Sequence, residues 1–282
     1  MKVIKVTELA IYPVKSCAQI ILPEAKVDAF GLHMDRRWML VDENGVFLSQ
    51  RKFPRMSLIK PTLSDDGIVL QVAEHPAEHL SGENICEISV QNLTRQQEVT
   101  VWGDSCAGLD CGDEAALWLS QFLETNCRLV YFPEEEFRQV DLDYANQGDK
   151  TAFSDGFPFL LISEPSLADL NARLHKSQQK SVEMRRFRPN IVVSGCQPFE
   201  EDSWKKIQIG DTILRIVKPC SRCTIPNVDP ATGIRGNEPS QTLKQYRLWD
   251  HPQIGKKIFF GQNVIAETIG HFEIGMPVTI IE

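Results

Sequence analysis

The 282-residue chain has no apolar run long enough to cross a bilayer, and its first residues lack the uninterrupted apolar core of an export signal. Neither membrane insertion nor secretion is expected; a cytoplasmic location is. Positive charge is also in short supply, since 30 Lys and Arg against 38 Asp and Glu give a formal net charge of -8 and an isoelectric point near 5.4. A general nucleic-acid binder neutralises phosphates with clustered cations, so no stable nucleic-acid binding is expected and any anionic ligand must be met by local Lys and Arg. The chain carries no Gly-rich dinucleotide fingerprint, no Walker loop, no GxSxG elbow and no internal repeat. Eight cysteines are present, but a chain of 31.9 kDa can bury enough core to stand without disulfides, so they are read as reduced thiols.

What is present is mostly short strands. Residues 3–14 and 25–30 alternate apolar and polar side chains, and further strand-like runs follow at 36–41, 46–50, 58–63, 68–72 and 98–102, punctuated by Gly, Asp and Pro turns. The second half adds runs at 190–193, 207–216, 257–260, 264–266 and 278–281. Two helices are expected: one after Asp113 as cap, over 114–123, and one after Ser163, over 164–174, with Pro165 in its first turn. This pattern predicts a mainly β protein with a few helices (α+β), a barrel or sandwich rather than alternating βαβ units. The polar residues 134–150 read as a loop or domain connection, and length alone suggests roughly two domains.

The chain is organised around Lys218-Pro219-Cys220-Ser221-Arg222-Cys223, where an apolar run at 211–217 delivers two thiols into a turn stiffened by prolines. Neighbouring cations favour the charged form of sulfur, which suits a soft metal or redox chemistry; ordinary buried thiols are the plain alternative. A zinc ribbon lacks its second CxxC. The HxxEH string at residues 75–79 carries Pro76 in a polar stretch, which does not suit the buried helix a zinc peptidase needs. A thioredoxin-type dithiol is excluded because Pro226 and Pro230 prevent a useful helix after Cys223. What remains is one thiolate anchoring a metal whose other soft ligands arrive with a cofactor. Four polar clusters flank apolar runs and could meet its charge: Lys15-Ser16, Asp35-Arg36-Arg37, Ser154-Asp155 and Arg188-Pro189-Asn190.

Taken in order, Ile11-Tyr12-Pro13-Val14-Lys15-Ser16, Phe153-Ser154-Asp155-Gly156-Phe157-Pro158-Phe159, Phe187-Arg188-Pro189-Asn190-Ile191-Val192 and Cys220-Ser221-Arg222-Cys223 resemble the MOSC-domain proteins, as do Phe260-Gly261-Gln262-Asn263 and the closing residues 274–278. The nearest types are the mitochondrial amidoxime reducing component and the bacterial hydroxylaminopurine-resistance enzymes. The resemblance implies an N-terminal β-rich domain over residues 1–130 and a MOSC β-barrel over 131–282, with a molybdenum cofactor of the molybdopterin form between them. It implies Cys223 as the molybdenum ligand, Cys220 as a non-ligand, Asp155 as the carboxylate beside the metal and candidate proton carrier, and Lys15, Ser16, Arg36, Arg188, Asn190 and Ser221 as cofactor-binding residues.

The activity it implies is reduction of N-hydroxylated bases and amidoximes to amines or amidines, a detoxifying oxidoreductase reaction. No ferredoxin spacing is found among the cysteines, so no iron-sulfur cluster is expected in this chain, and the electrons are expected from a separate ferredoxin, flavodoxin or reductase. A cofactor or sulfur carrier without redox turnover is the alternative, against which stands the lack of a pyridoxal-phosphate desulfurase domain.

Overall fold

A computed structural model describes residues 3–73 and 84–282, so the HxxEH string at 75–79 lies outside the described residues. The fold is mainly β with a few helices, as expected; among the described residues there are three α-helices, the two expected and a short third, Ser240–Tyr246. Its largest sheet runs in the order Val278–Ile280, Lys206–Ile209, Thr212–Ser221, Gly255–Ala266, Phe159–Ser163, Ile191–Ser194, Lys5–Ile11 and Ile20–Leu22, with Leu248–His251 paired on Gly255–Ala266. The first strand also closes the sheet on itself. Val6 N–H donates to Met276 O at 2.9 Å and Val278 N–H to Ile4 O at 2.8 Å, so both ends of the chain meet in one barrel and its edge is satisfied. Smaller sheets stand beside it: Trp38–Val41, Arg128–Tyr131, Asp104–Asp110 and Gln96–Val101 form one of four strands.

Phe159–Ser163 is buried at every position, as befits a strand covered on both faces. It runs parallel to Ile191–Ser194, a pairing that needs a crossover, and the helix Glu164–Lys176 supplies it. Ser163 caps that helix as expected, its hydroxyl accepting from the Ser166 N–H at 3.2 Å. Leu170 and Leu174 of the helix pack with Leu160, Ile162, Phe187 and Phe260 on the outside of the barrel. A separate core in the N-terminal half gathers Trp38, Leu40, Met56, Ile68 and Leu70 with Trp118, Leu119 and Phe122 of the helix Asp113–Leu123.

Three local expectations are corrected. Asp113 does not cap its helix: Gly112 takes that place, Asp110 Oδ1 accepts the Gly112 N–H at 2.8 Å, and Arg128 holds the Asp113 carboxylate at 2.7 Å. Residues 46–50 form no strand, only single bridges from Val46 to Thr100 and Phe47 to Val41, because the chain turns at Ser49, whose carbonyl accepts from both Lys52 and Phe53. The runs at 257–260 and 264–266 are one strand. Gly261 does not break it: at φ 83° its backbone lies so close to the next strand that an added Cβ would fall 2.6 Å from Ile162 Cγ1.

Candidate functional site

The strand Lys5–Ile11 ends in Tyr12, and the turn that follows is held by three backbone bonds: Arg36 N–H to Tyr12 O, Trp38 N–H to Pro13 O and Lys15 N–H to Trp38 O, at 3.0, 2.9 and 2.8 Å. These bonds bring the first two polar clusters together. Ser16, Arg36 and Arg188 all sit in the left-handed region, with φ of 68°, 49° and 60°. Non-glycine residues are held there only where the surroundings over-determine them, and such strain gathers at functional sites. Arg37 leaves the cluster: its guanidinium is buried against Phe132 O, at 2.8 Å from Nη2.

The cations are fixed before any ligand arrives. Arg36 donates to the Asp35 carboxylate, to Asn190 Oδ1 at 3.0 Å and to Arg188 O at 3.2 Å. Arg188 donates from Nη1 to Cys17 O at 2.6 Å, and both guanidiniums lie over the Tyr12 ring, at 4.4 Å for Arg36 and 4.1 Å for Arg188. Burial together with the neighbouring Arg36 charge pulls Arg188 down to about 10. Asn190 stitches the strands beneath, accepting from Leu160 N–H and donating to Ala10 O, each at 3.1 Å.

Lys15 is buried, and its ammonium donates to Phe153 O at 2.8 Å and to Asp155 Oδ1 at 2.5 Å. Burial pulls the Lys15 ammonium down to about 8 even though Asp155 opposes the shift. For Asp155, burial pushes upward, but the Lys15 charge and hydrogen bond, the Trp102 N–H and Arg51 outweigh it and hold the carboxyl well below its usual range. The Lys15 side chain is 5% exposed and that of Asp155 63%, so the carboxylate is the end of the pair that faces the solvent. Arg138 fixes the loop carrying Asp155, donating to Ala152 O at 3.0 Å, Ser154 O at 2.6 Å and Asp155 O at 3.3 Å.

The thiols arrive on the strand Thr212–Ser221. Its pairing with Gly255–Ala266 slips between Pro219 and Ser221, a bulge that tolerates the proline and re-aims the strand end. Arg222 Nη1 donates to Cys220 Sγ at 3.1 Å and Nη2 to Phe187 O at 2.7 Å. Burial pushes the Cys220 thiol up, with Arg222 partly offsetting it. Cys223 is exposed. The cation expected beside the thiol pair therefore serves Cys220, and Lys218 stacks over Tyr144 at 4.0 Å instead.

Every residue expected at the site lines one cleft. Lys15, Ser16, Arg36, Asp155, Arg188, Asn190, Ser221 and Cys223 surround about 800 Å³ of space, mouth included. The wall of this inner part holds five cations, Lys15, Arg36, Arg51, Arg188 and Arg222, against the carboxylate of Asp155, on a chain whose net charge is -8, whereas the adjoining outer part adds Asp104 and Asp141. Two buried donors there, Arg188 Nη2 and Arg222 Nε, have no partner among the described residues. Arg51, Trp102 and Arg138 were not among the expected site residues, and Arg222 was expected beside the thiols but not among the cofactor-binding residues. Trp102-Gly103 carried a legible signal, since a tryptophan stands where a two-residue hairpin loop ordinarily has Asn; Arg138, inside a polar loop, carried none.

Comparison with known proteins places residues 3–126 in the MOSC N-terminal beta barrel domain family and residues 148–279 in the MOSC domain family. The chain is 39% identical to mitochondrial amidoxime-reducing component 1 of Mus musculus and 38% identical to that of Homo sapiens, in both cases over 98% of this chain and 82% of the relative. It is 36% identical to mitochondrial amidoxime reducing component 2 of Bos taurus, over 97% of this chain and 82% of the relative.

Proposed function

This chain belongs to the MOSC-domain family, and from that premise we propose that it is a molybdenum-cofactor-dependent oxidoreductase that reduces N-hydroxylated bases and amidoximes to amines or amidines. The observation that carries this reading is the meeting of an exposed thiol, Cys223, with five cations in one cleft of an acidic protein. The residues fit a molybdopterin. Its phosphate would offer acceptors to the unpartnered Arg188 and Arg222 donors, and Cys223 would supply the one protein thiolate needed to join the sulfurs the cofactor brings.

In this proposal Arg36 and Arg188 grip the anionic end of the cofactor, helped by Lys15, Ser16, Asn190 and Ser221. Cys223 is the protein's ligand to molybdenum, whereas Cys220, held by Arg222, is not. When bound, the cofactor supplies two-electron oxygen-atom transfer, and the protein supplies position and protons. Reduction of an N–OH group to N–H with release of water consumes two electrons and two protons. Asp155 is the proposed carrier of one proton. While Lys15 sits on it the carboxyl stays ionised, an acceptor only; an anionic ligand that draws the Lys15 ammonium to itself removes that restraint and lets Asp155 take up and pass on a proton.

The electrons come from a separate ferredoxin, flavodoxin or reductase, and the reaction serves detoxification in the cytoplasm. The same proposal assigns the N-terminal domain to residues 1–130 and the barrel domain to 131–282, with the first strand of the former paired into the sheet of the latter. The exposure of Cys223 also suits a sulfur or cofactor carrier. An assay driven by reduced viologen separates the two: the molybdenum-loaded protein is expected to consume two electrons per N-hydroxylated purine reduced. Absence of catalytic viologen oxidation by fully loaded protein contradicts the reductase and leaves the carrier.

A further inference from the structure

The turn that joins Gln96–Val101 to Asp104–Asp110 is a two-residue hairpin loop, with Val101 opposite Asp104 and Trp102-Gly103 between them. Trp102 has φ 60°, a region that Asn, Asp and Gly occupy readily and a bulky aromatic does not. Burial does not repay that cost, because Trp102 is 48% exposed. Its ring is nonetheless fixed. The indole N–H donates to Asp155 Oδ1 at 3.2 Å, the Arg51 guanidinium stacks on it at 4.0 Å, and the Phe47 ring meets it at 5.2 Å. Trp102 lines the outer part of the cleft together with Asp155, Phe157 and Cys223. Both Lys15 and Trp102 donate to Oδ1 of Asp155, and among the described residues none donates to Oδ2.

We propose that Trp102 is a wall against which the aromatic part of the substrate stacks, while Asp155 Oδ2 accepts an N–H adjoining the N–O bond, so that the protein selects aryl amidoximes and N-hydroxylated bases over their alkyl counterparts. The proposal rests on the reductase reading of the cleft. Every base or aryl amidine has a π face, and stacking on an aromatic side chain is worth enough to set a preference of about tenfold or more.

The test compares Trp102→Asn and Trp102→Phe in molybdenum-loaded protein, with benzamidoxime and acetamidoxime as a matched aromatic and aliphatic pair. Trp102→Asn places a turn-favoured residue at a positive φ, so its thermal midpoint is expected to be no lower than that of the parent, which removes misfolding as an explanation. The ratio of kcat/KM for benzamidoxime to that for acetamidoxime is expected to fall about tenfold in Trp102→Asn, mostly through KM, and to be largely kept in Trp102→Phe, which retains a ring but loses the indole N–H. An unchanged ratio in Trp102→Asn overturns the proposal. An equal fall in Trp102→Phe also overturns it, because the hydrogen bond to Asp155 rather than the ring would then be responsible. Quenching of tryptophan emission by benzamidoxime, taken as the difference between parent and Trp102→Phe, reads contact without turnover. Should the parent reduce neither compound, the reductase reading fails by itself; quenching then keeps the wall, and its absence removes it.

Discussion

Lys15, Arg36 and Arg188, in the inner part of the cleft, each donate to a backbone carbonyl, of Phe153, Arg188 and Cys17 respectively, and the side chains of Lys15 and Arg36 are 5% and 13% exposed. Trp102 and Asp155, in the outer part, are 48% exposed as a residue and 63% exposed as a side chain. The inner cations have already lost their water to the fold, so an anionic group arriving there meets donors that need no further ordering. Trp102 keeps about half of its surface exposed beside Arg51, and Asp155 Oδ2 accepts no hydrogen bond among the described residues. One half of the cleft is thus built to hold a constant partner tightly, and the other to meet successive partners briefly.

That contrast can be broken in order of expected effect. Replacing Arg36 and Arg188 together with Met removes two charge-assisted contacts and should lower cofactor retention by roughly a hundredfold, read as pterin fluorescence per chain after oxidation. If Trp102→Asn loses as much pterin as that double variant, the two halves are not distinct. A smaller effect concerns Lys15. Its ammonium is pulled down to about 8, so its charge is lost as pH rises through that value, and retention of the anionic cofactor should fall by up to about tenfold between pH 7 and pH 9. Lys15→Met should retain cofactor weakly at both pH values and show no such step; a step that persists in this variant assigns the titration elsewhere.

Much of the scaffold could be read from alternation and turns. The first strand, the helix Glu164–Lys176 with its Ser163 cap, and the hairpin strands Gly67–Gln71 and Gln96–Val101 carry local patterns that survive in the fold. Phe159–Ser163 did not announce itself, because a strand buried on both faces has no alternation to see. Asp104–Asp110 was hidden by its polar, Gly-containing sequence, and the short helix Ser240–Tyr246 by the weakness of a pattern only seven residues long. In the site, Lys15, Arg36, Arg188 and Asn190 were visible as polar groups at strand ends, but the left-handed backbone of Ser16, Arg36 and Arg188 was not, since no glycine marks it. Arg138 was the least legible. Its role comes from three carbonyls of residues 152, 154 and 155 that only the folded loop brings to it.

The central claim is that Cys223 alone, of the two thiols in the turn, holds the metal. Cys220 is engaged by Arg222 and Cys223 is exposed in the cleft, so molybdenum per chain, measured by elemental analysis on protein made in a cofactor-competent host, distinguishes them. The account predicts almost no molybdenum in Cys223→Ala and near-parental molybdenum in Cys220→Ala. Equal metal content in the Cys223→Ala variant and the parent would contradict it.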